Sequence, residues 1–119
     1  MTWYFDSHIH LSDPEYVSDM EFLLKQMEFL KIKACCVSMD YNNSLQTLEL
    51  AKKSNLILPF IGIHPECANE ELGNISKLIE DNHECISGIG EIGLDPTYVN
   101  KNEDTVKQNH LFETLLSFA

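Results

Sequence analysis

The chain has 119 residues, 44% of them apolar, which is enough for one domain spanning residues 1–119 with a core of its own. Nineteen acidic residues stand against eight lysines and no arginine, giving a formal net charge of −11. That balance excludes a sequence-reading nucleic-acid module, which brings a basic patch and bidentate arginines, and no run approaches the ~20 apolar residues of a membrane span.

Trp3 to His10 reads as the first strand. Ser18 to Leu30 reads as a helix: Ser18 and Glu21 match a capping box, and Met20, Leu23, Leu24, Met27 and Leu30 recur at helical spacing. Ile32 to Met39 is a short apolar run, expected to be a buried strand. Ser44 to Lys53 is expected to be helical, with Leu45, Leu48 and Ala51 inward. Leu56 to Ile63 reads as the third strand. Glu70 to Asp81 is a helix through Leu72, Ile75, Leu78 and Ile79. Cys85 to Leu94 reads as the fourth strand, and Asp104 to Ala119 as the last helix, offering Val106, Phe112, Leu115 and Leu116 to the core. The result is an α/β chain of four β-α units, and helices between apolar strands imply a parallel sheet with crossover connections.

The four cysteines, Cys35, Cys36, Cys67 and Cys85, form no CxxC pair. They are expected to be reduced, mostly buried thiols of a cytoplasmic protein, and a zinc-thiolate site is not expected. The opening residues lack the charged and apolar regions of a secretory signal.

In parallel α/β sheets, sites form at the carboxyl ends of the strands, and the chemically capable residues fall there. His8 and His10 in Phe5-Asp6-Ser7-His8-Ile9-His10-Leu11 are two apart, so in a strand both point the same way with Ile9 turned aside. Two convergent imidazoles make half of a divalent-metal site. The bland alternative is one packed and one solvated histidine. Glu91, in Gly88-Ile89-Gly90-Glu91-Ile92-Gly93-Leu94-Asp95, would complete a two-His, one-carboxylate set suited to zinc, manganese or iron, or to magnesium with more oxygen ligands. The glycines let this strand approach something closely.

His64 ends the third strand, and Pro65 fixes the exit of the loop. Such a histidine can meet a substrate oxyanion, join the metal, or cap the following turn. Asp95 can orient a ligand histidine, or begin the turn at Pro96. His83 and His110 read as surface residues.

Phe5-Asp6-Ser7-His8-Ile9-His10-Leu11, Gly62-Ile63-His64-Pro65 and Gly90-Glu91-Ile92-Gly93-Leu94-Asp95, in that order, resemble the TatD family of metal-dependent deoxyribonucleases. Gln108 to Ala119 is similar to that family's QxxxFxxxLxLA helix. The resemblance covers nearly the whole chain. It implies the N-terminal half of a TIM-barrel-like, amidohydrolase-related fold and a hydrolase acting on phosphodiesters, with nucleic acid or a small phosphodiester as substrate. It implies that His8 and His10 ligate one metal, that Glu91 bridges two (Mg, Mn or Zn), and that His64 lines the substrate pocket, giving Glu91 and His64 the catalytic roles. In the intact architecture the two ions would activate water and stabilise both oxygens of an in-line displacement.

Two departures bear on the phosphate side: Glu66 stands where the family usually has a second histidine after GIHP, and Pro96 where it usually has a tyrosine. A full barrel needs about 250 residues, so the family's remaining two His and one Asp are absent. The chain is expected to be a fragment, a truncated product, or a half completed by a second chain or a second copy. Four strands of a closed barrel leave two open edges, and an isologous dimer through faces carrying Cys35, Val37, Ile61 or Ile89 is the expected self-association. A PHP-type or other amidohydrolase-like hydrolase is the alternative enzyme, and a self-associating, non-catalytic metal-binding half-barrel is the alternative outside enzymes.

Overall fold

A computed structural model describes residues 2–119. Four strands, β1 (Tyr4–Ile9), β2 (Ile32–Cys36), β3 (Ile57–Ile61) and β4 (Gly88–Ile89), form one sheet in the order β1-β2-β3-β4. Every neighbouring pair is parallel. The helices α1 (Met20–Leu30), α2 (Tyr41–Lys53), α3 (Leu72–Asp81) and α4 (Asn102–Leu116) alternate with them. The result is a curled half-barrel, the architecture expected of four β-α units. No described helix is long and apolar enough to cross a membrane.

The helices cover one face of the sheet. Ile61 and Ile63 at the end of β3 pack with Leu48, Ile75, Ile79, Leu111 and Leu115 from α2, α3 and α4. A second cluster joins Ala34 and Cys36 of β2 to Leu11, Leu50 and Ile57, with Leu23, Leu24 and Met27 of α1 against it. Alternation then sends Cys35, Val37, Leu58 and Phe60 to the other, concave face. Two residues expected there are not: Ile61 is fully buried against the helices, and Ile89 packs on the same cluster. Their parity along β3 and β4 matches Ile63, which points outward from the barrel axis.

Several local expectations are corrected. The Ser18–Glu21 capping box does not form; α1 is preceded by a 3-10 turn, Pro14–Asp19, whose cap is Asp13, its Oδ1 accepting from Glu15 N at 3.0 Å. Pro14 starts the helical path early, so Ser18 lies within the turn. The buried residues of α2 are Ser44, Thr47, Leu48 and Leu50, while Leu45 is exposed. In α4 they are Gln108, Leu111 and Leu115; Val106 and Leu116 lie off that stripe and are exposed. Only Cys36 of the four cysteines is fully buried, while Cys85 is exposed; all four are free thiols. Burial pushes the Cys36 thiol up, and burial followed by the carboxylates of Glu66, Asp40 and Glu70 pushes Cys67 up to about 11.

Candidate metal centre

The carboxyl end of β2 organises the site. Val37 N donates to Ile9 O at 3.0 Å, His64 N donates to Met39 O at 2.8 Å, and Glu91 N donates to Ser38 O at 2.8 Å. Three consecutive residues thus hold the chain ends of β1, β3 and β4. The expected fourth strand, Cys85 to Leu94, is regular only over Gly88–Ile89. Gly90 N still donates to Ile61 O at 3.0 Å, but Gly90 O accepts from Ser38 N at 3.2 Å. At that point the backbone crosses the end of β3 and reaches β2. Gly62 lies beneath the crossing, where a Cβ would come 2.9 Å from Glu91 N. The Gly90–Glu91 peptide is cis.

Buried hydroxyls support this junction. Ser38 Oγ lies 2.9 Å from both Phe60 O and Thr47 Oγ1, and Thr47 Oγ1 donates to Ser12 Oγ at 3.0 Å. Asn43 donates to Ser12 Oγ at 2.8 Å, and its Oδ1 accepts from Met39 N at 3.0 Å. Each member answers another's polar atoms in a region of low dielectric, which favours one arrangement of the loops.

The crossing carries Glu91 to the histidines of β1. His8 Nε2 and His10 Nε2 are 3.3 Å apart, with Ile9 turned into the helix-side cluster. Glu91 Oε1 stands 3.8 Å from His8 Nε2, and Oε2 stands 3.5 Å from His10 Nε2. One ligand atom from each lies within 4.8 Å of the others. Two ligands held at about 2.0–2.1 Å on a tetrahedral ion stand about 3.3–3.4 Å apart, so the imidazole spacing suits a shared cation. Glu91 Oε2 is buried without a hydrogen-bond partner, and a buried carboxylate oxygen in that condition calls for a ligand. The donor set and the orphaned oxygen both fit a divalent ion.

His64 takes a different position. Glu66 N donates to its Nδ1 at 3.1 Å, so that nitrogen carries the lone pair and the neutral ring's proton lies on Nε2. Nε2 points at Glu91 Oε1 from 3.8 Å. The ring is therefore presented to the centre as a donor, and it also caps the 3-10 turn Pro65–Cys67. Asp95 begins the turn at Pro96: its Oδ1 accepts from Thr97 N at 2.9 Å and from Thr97 Oγ1 at 2.6 Å. These bonds, with His64 a lesser contributor, hold its carboxyl below the usual range. Its main chain is clamped by Gln108, whose Oε1 accepts from Asp95 N at 3.0 Å and whose Nε2 donates to Asp95 O at 2.9 Å.

The sequence reading missed Tyr98. Its ring meets His64 edge to face, with centroids 5.5 Å apart and planes at 82°. It lies two residues beyond Pro96, and the aromatic in that short turn was the available signal. The carboxylate of Glu66, then burial and Asp95, raise its hydroxyl above the ordinary tyrosine value. His83 and His110 are exposed, as expected, and are not among the residues gathered at the centre. Beside His10 a cleft of about 270 Å³ runs between Asp13, Asp40 and Asn43.

A parallel α/β half-barrel that gathers two histidines and a carboxylate at its strand ends defines the class as a candidate metal-binding scaffold. The family model described as TatD related DNase matches residues 5–119, and the chain belongs to that family. A relative from Mycoplasma genitalium, an uncharacterised metal-dependent hydrolase, is 34% identical over 98% of this chain and 46% of its own length. Human deoxyribonuclease TATDN3 is 23% identical over 96% of this chain and 47% of its own length. The crystal structure of a TatD-family hydrolase from Entamoeba histolytica superposes with a TM-score of 0.79 at 22% identity, over 96% of this chain and 44% of that one. The chain spans about half the length of the curated relatives it matches.

Proposed function

We propose that this chain supplies the first metal-binding half of a hydrolase acting on phosphodiester bonds, with DNA or a small phosphodiester as substrate. The observation that carries this reading is the buried, unpartnered Oε2 of Glu91 set against two convergent imidazoles. His8, His10 and Glu91 would hold the ion. When bound, a divalent cation supplies Lewis acidity at a phosphoryl oxygen and a water-derived nucleophile at neutral pH. His64, held as an Nε2–H donor, gives a hydrogen bond to an oxygen that gains negative charge. Tyr98 limits the swing of that ring. Asp95 acts through the backbone, anchoring the turn that bears Tyr98.

Asp13 and Asp40 line the cleft beside His10, and Glu66 Oε1 stands 3.8 Å from His64 Nδ1, so the flanking side chains are acidic and do not themselves attract a phosphodiester. That deficit supports a cation as part of the working site, with the family's second ion and its later ligands lying outside these residues. The match to GIHP and GEIGLD favours this reading over a PHP-type phosphoesterase. A cytoplasmic setting, as the free cysteines suggest, is part of the same proposal.

Calorimetry with zinc or manganese tests the ligand set, and release of p-nitrophenol from a bis-aryl phosphodiester tests the chemistry. The proposal expects metal binding that is lost in Glu91→Gln, and turnover that needs added metal. Unaltered binding in Glu91→Gln would reject the ligand assignment. Metal binding without turnover in a barrel-complete assembly would favour the non-catalytic reading.

A further inference from the structure

The cleft beside His10 lies between the loops that follow two neighbouring strands. Asp13 and Pro14 come from the segment after β1, and Met39 to Gln46 from the junction of β2 with α2. β1 and β2 pair directly, so the two walls are joined through the sheet. His10 belongs to the cleft and to the metal centre alike. Whatever occupies the cleft therefore adjoins a group held at the centre. The volume, about 270 Å³, lies at the small end of ligand pockets.

The lining is rich in acceptors. Asp13 Oδ1 accepts from Glu15 N at 3.0 Å, and Asp40 Oδ1 accepts from Asn43 N at 2.7 Å. Each carboxylate spends one oxygen on a cap and keeps the other. Asn43 is fixed at both ends, donating to Ser12 Oγ and accepting from Met39 N, and makes that part of the lining rigid. The amides of Asn42 and Gln46 complete the polar lining, and Pro14 and Met39 add apolar surface. A second cation is not indicated. Among the described residues, the side chains grouped closely enough to hold an ion are His8, His10 and Glu91, without Asp13 or Asp40. Two carboxylates repel a phosphate. The chemistry left is a neutral group with apolar faces and N–H donors on its edge.

We propose that this cleft receives the nucleobase next to the scissile phosphate and selects a base that carries an exocyclic amino group. The substrate class rests on the hydrolase reading above; the selection rests on the cleft. Pro14 and Met39 meet the faces of the ring, as apolar side chains do with an unstacked base. The amino group donates to Asp40, with Asp13 as the second acceptor on the other wall. Acidic side chains recognise the cytosine amino group in this way. The amides of Asn42 and Gln46 donate to the ring nitrogen and carbonyl beside it. Uracil and thymine put a carbonyl oxygen where cytosine has its amino group, which sets lone pairs against a carboxylate. A site made to accept an N–H rejects an analogue lacking it more sharply than an apolar pocket rejects a size change. Asp40 is half-buried and Asp13 exposed, so solvent holds the discrimination to about tenfold.

Deoxycytidine and deoxyuridine are the probes, because they match in size, differ at this edge and carry no phosphate. Nuclear magnetic resonance titration of the isotope-labelled chain, without added metal, should shift the side-chain amides of Asn42 and Gln46. It should give about tenfold tighter binding of deoxycytidine. Asp40→Asn should reverse the order. Asparagine caps a helix as well as aspartate does, so its oxygen still receives Asn43 N and its nitrogen offers the uracil carbonyl a donor. Asp13→Asn, which also preserves a cap, is the second variant should Asp40→Asn fail to fold, and it should narrow the preference. Equal affinity for the two nucleosides overturns the proposal, as does no binding, or binding that leaves Asn42 and Gln46 unshifted. A preference that both variants leave unchanged overturns it too. The hydrolase reading stands or falls separately, on zinc calorimetry and turnover, because these titrations involve neither metal nor phosphate.

Discussion

Gly62 lies directly against the Gly90–Glu91 backbone: a Cβ there would stand 2.7 Å from Gly90 C and 2.9 Å from Glu91 N. Two motifs far apart in sequence therefore meet as backbone on backbone, and the missing side chain of one sets the path of the other. Gly62→Ala is expected to destabilise the fold by about 1–3 kcal/mol through overpacking. It is also expected to lower metal affinity at least tenfold by displacing Glu91. Denaturant melts and metal calorimetry check the two effects, and a variant with wild-type affinity would show that the crossing tolerates displacement.

Glu91→Gln should separate stability from binding. A buried unsatisfied charged oxygen is costly, so the metal-free variant is expected to be more stable by about 1 kcal/mol. The wild type should gain about 2.7 kcal/mol from an ion at a hundred times its dissociation constant, and the variant should gain none of it. Thermal melts with and without zinc measure both differences.

His64 is expected to be in the Nε2–H tautomer when neutral, because Glu66 N occupies Nδ1. Nitrogen chemical shifts of the labelled ring report this directly. A predominant Nδ1–H form would remove the donor role assigned to this residue.

Thr47→Val removes the hydroxyl that joins Ser38 to Ser12. The loss leaves buried partners unanswered, and the expected cost is about 1–3 kcal/mol. A second expected effect is weaker metal binding, since Ser38 also anchors Glu91. Wild-type stability in Thr47→Val would mean that the network contributes no more than packing.

Thr97→Val removes the hydroxyl bond that most lowers the Asp95 carboxyl. A depressed folded value gives stability that is present above the unfolded value and lost as pH falls through the folded one. The difference between wild type and Thr97→Val should therefore be full at neutral pH and shrink in acid below the usual carboxylate range. Denaturation midpoints across that range measure it, and a gap that persists unchanged in acid would point to another cause.

Much of the fold was legible because hydrophobic periodicity reports which side of an element is buried. Ile75 and Ile79 on α3 and Leu115 on α4 read as inward-facing and each is in the core, where Leu111, not expected there, joins them. The failures came where polar side chains hold the inner stripe. Ser44 and Thr47 displaced Leu45 on α2, and Gln108 took a buried place on α4. A hydrophobic count gives no weight to a hydroxyl or amide that finds its partner in another element.

The spacing of His8 and His10, and the proline after His64, determined which side chains stand at strand ends. Period-two geometry and a fixed φ act within a few residues, so local sequence suffices for them. Tertiary structure decided how Glu91, two residues beyond β4, is carried to the histidines of β1. That outcome depends on the crossing over Gly62, the bond from Glu91 N to Ser38 O and the hydroxyls beneath Ser38. It also decided that Tyr98 meets His64. These contacts join residues distant in the chain through hydrogen bonds and close approach, neither of which leaves a periodic trace in sequence.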